Sequence, residues 1–138
     1  MRSPLMIATL AALVVTSVPA GAATPIAGRW LTTEKDSVIE IGACGNAVCG
    51  RIAKLLADTN GPPNDRNNPD PKLRSAPLIG LAILSGFKDR GSQWEGRIYD
   101  PKNGKSYKSK VFRNADGTLT VKGCISFFCR SYVWTAVR

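Results

Sequence analysis

Residues 93–137 read QWEGRIYDPKNGKSYKSKVFRNADGTLTVKGCISFFCRSYVWTAV, and this stretch decides the fold class. It holds four short runs rich in β-branched and aromatic residues, at 93–100, 106–113, 119–124 and 129–137. Short connections of four or five residues separate them. Asp100-Pro101-Lys102-Asn103-Gly104 carries an Asn-Gly pair, and Asn114-Ala115-Asp116-Gly117 puts Gly where the chain needs a left-handed residue. Strands joined by turns this short are antiparallel neighbours. Upstream, runs at 28–33, 38–43, 48–56 and 78–87 add four more strands, with Lys88-Asp89-Arg90-Gly91 as a further turn. No segment past the N-terminal run shows an apolar stripe of helical period. The pattern predicts an all-β fold: a small antiparallel up-and-down β-barrel of about eight strands, closed so that no edge is left bare.

One segment interrupts the meander. Residues 57–77 (ADTNGPPNDRNNPDPKLRSAP) are rich in Pro, Asn, Asp and Gly, and they form one long loop. Asp58, Asn60, Asn64, Asp65, Asn67 and Asp70 lack the spacing of an EF-hand, so the expectation is a solvated loop ordered by Asx turns, with no metal.

At the N-terminus, residues 1–23 have the three parts of a secretory signal. Arg2 is the lone charge, LMIATLAALVVTSV spans residues 5–18, and small residues follow Pro19. Cleavage after Ala22 or after Ala23 fits that pattern. The run is shorter than the ~20 apolar residues of a spanning helix, and no other segment is apolar enough to cross a membrane. The expectation is a cleaved signal over residues 1–23 and a single β-barrel domain over 24–138, located in the periplasm or secreted.

That compartment bears on the four cysteines, which form two equal spacings, Cys44-x4-Cys49 and Cys124-x4-Cys129. Paired cysteines in an exported chain are disulfides by default. Each pair brackets a short loop, and cysteines facing across a hairpin lie within bonding reach. The expected bonds are Cys44–Cys49 and Cys124–Cys129, each worth roughly 2 kcal/mol by loop entropy. With Cys44 set opposite Cys49, Gly42 faces Arg51 and Ile41 faces Ile52. Cys44, Glu40 and Arg51 then share one face, and Ile39, Ile41 and Ile52 the other. In the second hairpin Cys124, Cys129, Lys122, Thr120, Ser131 and Thr135 share the outer face, while Leu119, Val121, Tyr132 and Trp134 face inward. Arg130 falls on the inward parity, an unusual place for a charge.

The same alternation turns Trp94, Gly96, Ile98, Tyr107, Ser109 and Val111 inward. Trp94, Tyr107, Arg130, Tyr132 and Trp134 are therefore the candidate binding residues. The aromatics would take a hydrophobic or amphipathic ligand, and Arg130 would meet its carboxylate or phosphate. The competing reading has the aromatics fill the core, with Arg130 stacked on a tryptophan. Outside, Lys108, Lys110 and Lys122 form a basic wall, and the net charge of +9 favours an anionic envelope component as partner. Exposed aromatics interleaved with basic residues are not evident in the pattern, which argues against nucleic acid.

The chain has no histidine, which removes Ser-His and Cys-His nucleophile pairs and the usual zinc hydrolase sites. Asp100 with Tyr107 and Lys105, or Glu95 with Arg97, can be posed as acid-base pairs, yet a hairpin turn and an exposed strand would show the same residues. No catalytic residue and no cofactor is assigned.

Several short motifs then coincide: Gly28-Arg29-Trp30, Cys49-Gly50-Arg51-Ile52, Pro77-Leu78-Ile79-Gly80, Tyr99-Asp100-Pro101-Lys102-Asn103-Gly104-Lys105-Ser106-Tyr107, and Cys129-Arg130-Ser131 with Trp134-Thr135. In these the chain resembles a bacterial family of exported proteins, domain of unknown function 2147, over nearly all of residues 24–138. The resemblance implies a lipocalin-like or fatty-acid-binding-protein-like barrel. It brings no activity and no catalytic residues.

Overall fold

A computed structural model describes residues 3–15, 21–58 and 63–138. Arg2 and residues 16–20 of the expected signal segment, and Asn60 of the long loop, lie outside the described residues. The strands are β1 (Gly28–Leu31), β2 (Ser37–Cys44), β3 (Ala47–Leu55), β4 (Ala82–Asp89), β5 (Trp94–Asp100), β6 (Lys105–Arg113), β7 (Leu119–Ile125) and β8 (Phe128–Ala136). Each pairs with the next and β8 returns to β1, closing an antiparallel up-and-down barrel. The seam is short: Trp30 pairs with Ala136 and Leu31 with Thr135. The Val137 amide extends it by donating to the Arg29 carbonyl at 2.9 Å.

Both disulfides form as expected, Cys44–Cys49 and Cys124–Cys129. In the second hairpin the cysteines are directly opposite. The first hairpin differs from expectation. Cys44 pairs with Ala47 and Cys49 with Gly42, so Arg51 lies opposite Glu40 and Ile52 opposite Ile39. Gly45 takes φ 61°, which lets Gly45-Asn46 make a two-residue turn, and the bond joins diagonal neighbours. The slip is two residues, one full strand period, so every side chain keeps its face. The fourth strand also starts later than expected, at Ala82 rather than residue 78. Pro77-Leu78-Ile79-Gly80 instead makes a turn, closed by the Leu81 amide on the Leu78 carbonyl at 3.0 Å.

The two barrel ends differ. At one end the stretch before β1 crosses the opening. Ile26 is buried, and its carbonyl accepts from the Trp30 indole Nε1 at 3.0 Å. The Arg113 guanidinium lies over the Trp30 ring, 5.2 Å from its centroid. Trp30, Ile41, Leu84, Phe87, Val111, Leu119 and Val121 fill this half as a continuous core. The tryptophan-stacked arginine is thus Arg113 and not Arg130. Arg113, the last residue of β6, sits where the chain reaches this closed end.

At the other end the long loop folds back on itself. Asn64 bridges to Pro77, and a single 3-10 turn, η1 (Pro71–Leu73), is capped by Asp70. Asp65 is buried under it. Its carboxylate accepts from the Tyr99 hydroxyl at 2.7 Å and from Asn68 Nδ2 at 2.8 Å, so it pins the loop to β5. Asn67 Nδ2 donates to the carbonyls of Pro101 and Lys102, both at 3.0 Å. Gly104 completes this contact, because its φ is 72° and a Cβ there would strike the Asn67 carbonyl. The Asn-Gly signal therefore serves two needs, a left-handed turn and a close loop approach. We expect Gly104→Ala to destabilise the fold by at least ~1–2 kcal/mol, the cost of a left-handed L-residue, as read by urea unfolding.

Candidate functional site

The open half of the barrel holds a cavity of about 630 Å³. It falls within the roughly 300–1,000 Å³ range of small-ligand pockets. β8 shows how the sequence builds it. Trp134, Tyr132, Arg130 and Phe128 alternate inward and all line the cavity, in order from its floor to its rim. Trp134 is buried, Tyr132 half-buried and Arg130 exposed at the mouth. Ile39, Ile52, Ile83 and Ile98 supply apolar walls from β2 to β5. Gly123, directly opposite Arg130, leaves the wall of β7 bare there. A Cβ on Gly123 would meet only Ile98 at 3.7 Å and Tyr107 at 4.0 Å, ordinary contacts.

Tyr107, Arg130, Tyr132 and Trp134 thus surround one cavity. Trp94 is the exception among the candidate residues. It opens β5 at the closed end, where its Nε1 donates to the Thr24 carbonyl at 3.0 Å, and it does not line the cavity. Parity turned it inward as expected, but its position along the strand puts it against the N-terminal stretch. Ser109 is fully buried and its Oγ has no partner among the described residues.

The mouth carries the charge. Glu34 and Asp36 lie on the β1–β2 loop, and Lys102 on the β5–β6 loop. In an eight-strand ring those loops stand on opposite sides. Lys102 reaches across, bonding to Glu34 and lying 3.0 Å from Asp36 Oδ2. Asp36 Oδ1 also accepts from the Thr32 and Ser37 hydroxyls, each at 2.8 Å. Burial alone would raise the Asp36 carboxyl, but hydrogen bonds from Lys102, Thr32 and Ser37 outweigh it and hold its pKa at about 2. The bond to Glu34, against the opposing effect of burial and with the help of Asp36, raises Lys102 above the ordinary lysine range. Tyr99, on the cavity wall, is pushed up by burial and then by the Asp65 carboxylate.

The posed acid-base pairs resolve into structural contacts. Asp100 Oδ1 caps its own turn by accepting from the Lys102 amide at 2.9 Å, and Asn103 Nδ2 donates to the Tyr107 hydroxyl at 3.2 Å. Glu95 faces Arg90 at 3.9 Å on the outside of the β4–β5 hairpin. The carboxylates that line the cavity, Glu34, Asp36 and Asp100, stand at its mouth, and isoleucines and Trp134 form the deeper wall. No group of three or more His, Cys, Asp or Glu is gathered as for a metal among the described residues.

Residues 28–136 match a family described as uncharacterized protein conserved in bacteria (DUF2147). A solved structure described as protein HP1028 from the human pathogen Helicobacter pylori, belonging to the lipocalin family, aligns with a TM-score of 0.73 at 22% identity. The alignment covers 84% of this chain and 85% of that one, so the two share a fold. A comparison with curated proteins gives no match.

The lowered Asp36 pKa carries a sign. A depressed carboxyl stabilises the folded state above its ordinary pKa, and that contribution is lost as pH falls through the folded value. The bridge across the mouth should therefore weaken from pH 3.8 down to about 2. In thermal melts over that window, the difference in Tm between the natural protein and Asp36→Asn should shrink as pH drops. A difference that stays constant would show that Asp36 does not titrate as the bridge requires.

Proposed function

The chain belongs to that bacterial family of uncharacterized proteins, and on this footing we propose that it is a non-enzymatic binding barrel for a small amphipathic ligand. The apolar tail lies between the isoleucines and Trp134, and a carboxylate or phosphate head meets Arg130 at the mouth. The inward column of β8 carries this reading, since polarity along it rises from a buried tryptophan through a tyrosine to an exposed arginine. A ligand with one apolar and one anionic end matches that gradient. The bridge from Lys102 to Glu34 and Asp36 spans the route in, so entry requires it to part or the ligand to pass beside it.

A fluorescent fatty-acid probe, free of any vesicle, tests the reading. We expect saturable binding with quenching of Trp134. Gly123→Leu, whose Cβ fits but whose branches enter the cavity, should weaken binding at least tenfold. Arg130→Gln should weaken the acid far more than the matching alcohol. Equal affinity in the natural protein and Gly123→Leu would exclude the cavity as the site.

Two disulfides suggest an oxidising setting, and the proposed location is the periplasm or the exterior. Among the described residues no helix is long and apolar enough to cross a membrane. In the proposed exported form the signal is cut between Ala22 and Ala23. Gly21 and Ala22 are exposed, whereas Ala23 is buried with its nitrogen 3.0 and 3.2 Å from the two Asp89 carboxylate oxygens. Cleavage there would turn that amide into an ammonium already facing a carboxylate. Asp89 is held below the usual carboxylate range by the Gly91 amide and then by Ala23. N-terminal sequencing of the exported protein should begin at Ala23, and Asp89→Asn should lower the Tm of the processed form more than that of the unprocessed chain.

A further inference from the structure

The tip of the β7–β8 hairpin stands in solvent with its apolar side chains exposed, Ile125 and Phe128 at the cavity rim and Phe127 beyond it. Ile125 is 65% exposed, Phe127 97% and Phe128 83%. Phe127 and Phe128 are the only exposed aromatic rings among the described residues. The hairpin holds them there. Ile125 pairs with Phe128 around the two-residue turn, and the Cys124–Cys129 disulfide closes the pair of positions just below. Adjacent exposed apolar side chains on a braced tip are the mark of an interaction site.

Cations flank the tip on two sides. A shallow groove beside it is lined by Arg97, Lys105 and Lys108, and Arg130 lies on its other side at the cavity mouth. None of these four makes an ion pair among the described residues. Arg97 and Lys108 sit directly opposite each other on β5 and β6, an arrangement that is unfavourable unless an anion joins them.

We propose that this tip is a membrane-docking wedge, with Phe127 and Phe128 entering the acyl region of an anionic bilayer and Arg97, Lys105, Lys108 and Arg130 meeting its phosphate headgroups. Aromatic side chains over a ring of cations match the layering of such a surface. A second copy of the chain fits it less well, because it would bring the same cations against these. The tip and the cavity mouth share one end of the barrel, so docking sets the mouth on the bilayer. If the cavity carries an amphipathic ligand, as proposed above, that ligand can pass between lipid and barrel without crossing water. The docking itself does not depend on that cargo.

The test is flotation with phosphatidylcholine vesicles, with and without phosphatidylglycerol, using one chain form throughout so that the apolar run at residues 5–18 is common to all samples. We expect binding to the anionic vesicles to fall at least tenfold in Phe127→Ser/Phe128→Ser and, at low salt, in Lys105→Glu/Lys108→Glu. Tryptophan at the tip, as Phe127→Trp, should be quenched by brominated acyl chains only when phosphatidylglycerol is present. Unchanged partitioning of the double serine variant, or a tip tryptophan that is not quenched, would overturn the proposal. So would a dimer in lipid-free solution that the serine variant abolishes, which would assign the tip to self-association. Binding of the soluble fatty-acid probe without vesicles reports separately on the cavity.

Discussion

Closure of the sheet between β1 and β8 is the constraint on which the rest of the molecule depends. An open sheet of eight short strands would expose two bare edges. Here the edges meet through only two residue pairs and one further amide. So short a seam needs support from within. Trp30 supplies it: the ring is buried, its indole holds the Ile26 carbonyl, and Arg113 covers its outer face. One side chain therefore links the seam, the N-terminal stretch that plugs the closed end, and the far end of β6.

Once the ring closes, strand number limits its diameter, and side-chain size decides how much interior remains. In the closed half Trp30, Phe87 and Leu119 are large enough to meet across the axis. In the open half the inward positions include isoleucines, Gly123 and a column of side chains that grows more polar from Trp134 to Arg130, and a cavity is left. The disulfides sit at opposite ends, Cys44–Cys49 by the plug and Cys124–Cys129 by the mouth. Each braces a two-residue hairpin. The second brace sits directly below Ile125 and Phe128, which stand at the cavity rim, and fixes the hairpin that carries the exposed Phe127.

Much of this was legible along the chain. Alternation on β8 put Arg130, Tyr132 and Trp134 on one face, and a period of two carries that relation whatever the register. That is why a register wrong by two residues in the first hairpin still assigned every face correctly. Position along the barrel axis was not legible. Trp94 and Tyr107 both point inward, yet one packs on the plug and the other lines the cavity. Their heights depend on the stagger of neighbouring strands, including the bulges in β3 and β4, and no local pattern reports it. The bridge from Lys102 to Glu34 and Asp36 was missed for the same reason. Residues 68 and 66 positions apart meet only because two loops on opposite sides of the ring lean over one mouth.

The amino-acid sequence by itself determined the strands, their antiparallel order, the two cystines and the face each side chain takes. These are short-range properties, settled by turn chemistry, a two-residue period and the reach of a disulfide between hairpin neighbours. Tertiary structure decided which inward residues make core and which make cavity, which arginine stacks on tryptophan, and which exposed rings stand beside basic side chains. These depend on distances across and along a closed ring, and closure brings together residues whose separation in the chain carries no signal.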